Sequence, residues 1–131
     1  MAGKFAVRSL DHLVLTVRNI PKTVAFYTTY LGMQHEIFTS QTNQTVQRHA
    51  LIFGSQKINL HQSGKEFEPK AQDVMPGSAD LCFLTDENVE QVLKVFQDAR
   101  ILEGAKVVER TGAVGKIRSV YVRDPDGNLI E

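Results

Sequence analysis

The chain has 131 residues, of which 42% are apolar and 23% charged. That suits one domain, or two half-domains sharing a core, and is too apolar for a disordered tail. Lys plus Arg (15) balances Asp plus Glu (15), so no net field draws the chain to nucleic acid or to an anionic membrane. Cys82 is the single cysteine, which excludes an internal disulfide and a thiolate zinc cluster. Apolar runs are a few residues long, far short of the ~20 that span a bilayer. The expectation is a soluble protein that handles small molecules or other proteins in the cytoplasm. Lys4 and Arg8, with no acid among the first ten residues, leave a trimmed mitochondrial presequence as the alternative.

In chain order, residues 11–17 alternate, with Leu13, Leu15 and Val17 on one face and His12, Val14 and Thr16 on the other, which predicts a strand. A helix follows: Asn19 is a candidate N-cap, Pro21 suits the first turn, Val24, Tyr27 and Leu31 form its inner stripe, and Gly32 ends it. Strands are predicted at 34–40, 45–53 and 57–62, the last two joined by a Gly54-Ser55 turn. Pro69 and Pro76 mark residues 64–76 as a linker. Beyond it the spacing predicts a strand at 80–85 and a helix over about 88–101. Val89, Val92, Leu93 and Phe96 face inward on that helix, and Gly104 lies just past its end. Strands at 106–110, 116–123 and 128–131 complete the chain, the last two joined by Asp124-Pro125-Asp126-Gly127.

The order βαβββ therefore occurs twice, an α+β chain of two modules, about 9–63 and about 77–131. A duplication also shows in register: His12 falls over Asp80 at a shift of 68 residues, and His61 over Glu131 at a shift of 70. All four lie on strands whose alternate residues are apolar. A period of two sends them to the face opposite the helices, where two imidazoles and two carboxylates would suit a divalent metal with room for water or substrate. Nitrogen and oxygen donors without sulfur fit Zn, Ni, Co, Mn or Fe without choosing among them.

The residues 11–17 (DHLVLTV), Ala25-Phe26-Tyr27 with Tyr30-Leu31-Gly32-Met33, and the closing DPDGNLIE of 124–131 together resemble the vicinal-oxygen-chelate superfamily of glyoxalases, bleomycin- and fosfomycin-resistance proteins and extradiol dioxygenases. The resemblance covers nearly the whole chain and implies a glyoxalase-like open half-barrel of two βαβββ modules. It also implies metal ligands at His12, His61, Asp80 and Glu131. Asp80 stands where the family usually has histidine and His61 where glyoxalase relatives usually have glutamate, so metal identity does not carry over. Family members commonly pair chains, so a homodimer is expected, with a small-molecule substrate and neither nucleic acid nor membrane as partner.

With a metal bound, two adjacent substrate oxygens would chelate it, and Glu131, or less readily Asp80, would serve as general base. Two other readings stay open: a small-molecule-binding module without catalysis, and a domain that only dimerises. His35 and His49 lack repeat partners and read as surface residues, Cys82 as a small buried filler, and Phe26 and Tyr27 as helix packing. Either Arg118 or Tyr121 could face a ligand.

Overall fold

A computed structural model describes residues 3–41 and 45–131. Residues 1 and 2, where the alternative of a trimmed presequence begins, lie outside the described residues. The first module runs β1 (His12–Val17), α1 (Ile20–Leu31), β2 (Gln34–Thr39), β3 (Gln47–Phe53) and β4 (Gln56–Gln62). The second runs β5 (Asp80–Leu81), α2 (Val89–Asp98), β6 (Leu102–Gly112), β7 (Gly115–Arg123) and β8 (Leu129–Ile130). Each module makes one four-stranded mixed sheet, ordered β1-β4-β3-β2 and β5-β8-β7-β6, so the same topology does occur twice. In each, the first and last strands pair in parallel, as a returning connection through a helix and a hairpin allows.

Local chemistry explains most boundaries. Asn19 Oδ1 accepts from the Lys22 amide at 2.9 Å, satisfying an orphan donor of the first turn of α1. Gly32 closes that helix at φ 66°, a conformation glycine adopts without steric cost. Gly54 and Ser55 make the two-residue turn between β3 and β4. Pairing along β5 continues past its formal end, because the Phe83 amide donates to the Glu131 carbonyl at 2.8 Å.

The second helix departs from expectation. It ends at Asp98, capped by Ala99, rather than near 101, and Gly104 lies inside β6. The Ile101 amide bonds the Phe96 carbonyl and the Arg100 amide the Gln97 carbonyl, both at 3.0 Å, a Schellman closure with Arg100 itself at φ 59°. A side chain in that left-handed conformation costs about 1–2 kcal/mol. Arg100→Gly relieves it at the expense of a looser unfolded chain. We expect a net gain of about 0.5–1 kcal/mol, read as a higher urea midpoint at unchanged m-value.

The two modules share one core. Leu15 and Val17 of β1, Phe26 and Tyr27 of α1, Leu51, Ile58 and Leu60 of the first sheet, and Phe96, Val120, Val122 and Ile130 of the second module are all buried together. Phe53 and Phe83 meet edge to face across the modules at 5.2 Å. The DPDG turn adds a polar tie: the buried Tyr27 hydroxyl donates to Asp124 Oδ2 at 2.7 Å, and the Arg18 amide donates to Asp126 Oδ1 at 3.1 Å. Among the described residues no helix is long and apolar enough to cross a membrane.

Candidate functional site

Because Ile58 and Leu60 enter the core, alternation turns Lys57, Asn59 and His61 to the other face of the first sheet, with His12, Val14 and Thr16 of β1. Antiparallel pairing places Ala50 opposite Asn59. By the same parity Arg48 and Ala50 of β3 share that face with Phe38 of β2, which pairs with Arg48. In the second sheet Leu81, Phe83, Ile130, Val120 and Val122 pack on the core. Asp80, Cys82, Ser119, Tyr121 and Glu131 therefore alternate to the opposite face.

Each expected ligand can now be located. His12 is largely exposed, and its Nδ1 lies 2.8 Å from Asp11 Oδ2. As donor to that carboxylate, Nδ1 carries the ring proton and leaves Nε2 with its lone pair. The imidazole in turn holds the Asp11 carboxyl below the usual carboxylate range. Glu131 is half-buried and accepts from Ser119 Oγ at 2.6 Å through Oε2. Asp80 is exposed on the neighbouring strand.

The pairing register changes the repeat. Lys57 lies beside His12 in β1/β4, and Leu129 beside Asp80 in β5/β8. Two residues further along, Asn59 is therefore the counterpart of Glu131, and His61 is not. His61 sits beside Thr16, four residues and about 13 Å along the strands from the His12 row. The expectation failed because a slip of two residues preserves the face on which every side chain lies, so alternation cannot detect it.

His61 is also engaged differently. It is buried, 3% exposed, with Arg48 Nη2 3.1 Å from its Nε2. A guanidinium only donates, so Nε2 accepts, the ring is neutral and Nδ1 bears the hydrogen. Burial first and Arg48 second hold its pKa below the ordinary histidine value. Among the described residues Nδ1 has no hydrogen-bond partner, nor has the buried Oδ1 of Asn59.

Asn59 and Arg48 escaped the sequence reading, since neither belongs to an apparent His/carboxylate repeat. Their signal was parity with His61 and pairing across β3/β4. Tyr121 shares the face of Glu131 and accepts from Arg110 Nε at 2.9 Å. Arg118 pairs instead with Glu90 of α2. Cys82 is exposed rather than buried. Partial desolvation, then Glu131 and Asp80, push its thiol upward, which keeps it a poor nucleophile. His35 and His49 stack at 5.1 Å on the helix-side face of β2/β3.

Among the described residues of one chain, no three His, Cys, Asp or Glu side chains gather as a metal centre would need. His12 and Asn59 belong to one sheet, Asp80 and Glu131 to the other. A cavity of about 1320 Å³ opens between α2 and the second sheet, walled by Tyr30, Phe53, Phe96 and Val120 and also by Glu131.

Residues 9–131 match the model of the Glyoxalase/Bleomycin resistance protein/Dioxygenase superfamily. The chain is 52% identical over 122 residues to virulence protein STM3117 of Salmonella typhimurium, covering 93% of this chain and 81% of that one. It is 53% identical over 130 residues to glyoxalase domain-containing protein RDO1 of Mycosarcoma maydis, covering 98% and 69%. The crystal structure of the Salmonella protein superposes with a TM-score of 0.85 at 50% identity, covering 96% of this chain and 95% of that one.

Proposed function

The chain belongs to the glyoxalase/bleomycin resistance protein/dioxygenase superfamily, and from that premise we propose a divalent-metal enzyme acting on a small substrate with two adjacent oxygens, by a glyoxalase-like isomerase or lyase reaction. The observation that carries the reading is the Asp11–His12 pair at 2.8 Å. A histidine whose Nδ1–H is held by a carboxylate keeps the Nε2 lone pair that a metal ligand needs. The unpartnered Asn59 Oδ1 is a hard carbonyl donor at the repeat position of Glu131. The donor set is then His12 and Asn59 from one sheet, and Asp80 and Glu131 from the other. One imidazole and three oxygens suit Zn, Ni, Co, Mn or Fe.

Since the two halves of this set do not meet in one chain, we place the site between two copies, each giving its first sheet to the partner's second. A metal held by these four residues would supply Lewis acidity to the substrate's adjacent oxygens and stabilise negative charge on them. Glu131, on leaving the metal, would be the general base. Ser119 orients it through Oε2, and Oε1 takes the proton from the carbon beside the chelating carbonyl. The cavity between α2 and the second sheet is walled by core-facing residues, on the face opposite the one these donors share. That apolar cavity also favours the second reading, a module that sequesters a ligand without turning it over.

Metal content after purification without chelator, followed by assays against α-ketoaldehyde–thiol adducts and catechols, separates the two. The enzyme reading expects stoichiometric metal, lost with turnover in His12→Ala and Glu131→Gln. A metal-free parent that still binds ligands would establish the sequestering module instead. Asp11→Ala keeps all four donors but frees the imidazole to change tautomer. It should weaken metal binding by roughly 10–100-fold, read by competition with a chromophoric chelator.

A further inference from the structure

One cluster on the first sheet is left over by the proposed metal chemistry. Arg48 stacks on Phe67 with 4.3 Å between the guanidinium carbon and the ring centroid, and lies 5.8 Å from the Phe38 ring. The Lys57 ammonium stands 4.6 Å above the same Phe38 ring. His61, ringed by Arg48 and by Phe67 edge-on at 5.4 Å, presents a buried N–H with no acceptor among the described residues. Beyond the contact in which His61 Nε2 accepts from Arg48, the groups at this spot are donors. Among the described residues no carboxylate pairs with Arg48 or Lys57; the seven ion pairs all involve other cations or His12. Glu66 is the acid whose field reaches His61, but its two oxygens are taken by the Gly64 amide and by Lys70.

A buried donor left unsatisfied costs about 1–3 kcal/mol, and a native structure rarely keeps one without a use. Arg48 and His61 at one aromatic-walled spot, with Lys57 reaching the same Phe38 ring from the His12 row and only the exposed Asp11 in its field, describe a receptor for an oxyanion. The spot is one strand row beyond Asn59, hence beside the proposed metal position. Phe67, on the segment between the modules, covers it in this conformation.

We propose that Arg48, His61 and Lys57 form a subsite for the carboxylate of the substrate, which makes the substrate class a small acid bearing vicinal oxygens, with Phe67 as the cover that swings aside to admit it. This rests on the reading above for the position of the reacting oxygens. The carboxylate accepts from the Arg48 guanidinium and from His61 Nδ1–H, while Lys57 supplies charge at the mouth.

The test is an NMR titration of chelator-treated, metal-free protein with lactate and, in parallel, propane-1,2-diol, which keeps the vicinal oxygens and lacks the charge. Lactate is expected to shift the His61 ring and Arg48 side-chain signals saturably, and the diol to leave them in place. Arg48→Gln should weaken lactate about tenfold or more. Lys57→Gln, at a half-buried position of small structural consequence, should weaken it severalfold, and Phe67→Ala should tighten it. Equal responses to lactate and diol overturn the proposal, as does unchanged lactate affinity in Lys57→Gln or in a folded Arg48→Gln. Because no metal is present, loss of the metal reading would leave these outcomes standing, and a negative titration would leave the metal reading standing.

Discussion

Asp124→Ala is expected to cost about 3–5 kcal/mol of stability, a large share of what holds a domain of this size together. Asp124 is only 5% exposed, and its carboxylate accepts four hydrogen bonds. Oδ1 takes the amides of Asp126 and Asn128 at 2.9 and 3.0 Å; Oδ2 takes the Tyr27 hydroxyl at 2.7 Å and Asn128 Nδ2 at 2.8 Å. Alanine orphans all four donors in a site from which water is excluded, and charged acceptors are worth about 1.5–3 kcal/mol per bond. The damage spreads because the turn is a junction. Asn128 Oδ1 positions the Ala79 amide ahead of β5 at 2.8 Å, and Asp126 receives the Arg18 amide at the end of β1. Tyr27→Phe removes one donor and leaves Asp124 three, so it should cost about 1–2 kcal/mol. Desolvation first, then the neighbouring Asp124, push the Tyr27 hydroxyl well above its ordinary pKa, so it stays a donor throughout the working pH range. Urea unfolding of the two single variants and their double measures the coupling. An Asp124→Ala loss below 1 kcal/mol would show that the junction is decorative.

Turn chemistry alone suggested this segment, and it could not reveal the reach of Asp124. The partners Tyr27, Arg18 and Ala79 are distant in sequence. The two modules, the Asn19 and Gly32 caps and the sheet faces were legible, because each follows from local propensity or from a period of two or 3.6. What stayed hidden was whatever parity leaves degenerate. His61 and Asn59 occupy the same face, so only the pairing of β4 with β1 decides which one answers Glu131. The close of α2 was hidden for a related reason: Arg100 takes the left-handed position that the eye gives to Gly104. Phe67 carried no signal either, since an irregular connector has no period from which its resting place could be read.

Two inactive variants mixed together should recover metal binding, and by a predictable amount. His12→Ala spoils the first-sheet half of the proposed site and Glu131→Gln the second-sheet half, and these halves do not meet within one chain. In a two-fold dimer each cleft takes one half from each copy. A heterodimer of the two variants then has one cleft carrying both lesions and one carrying none. Random pairing at equal amounts makes half the dimers mixed, so about one quarter of the parent's metal should return, against almost none for either variant alone. Exchange by brief unfolding and refolding of the mixture, followed by metal analysis of the dimer fraction, reads the number directly. Zero recovery with exchanged subunits would place His12 and Glu131 in one chain's site or in none, since a cleft built from a single chain keeps its lesion whatever its partner. Recovery near a quarter needs both a shared site and the participation of these two residues, and neither alone produces it.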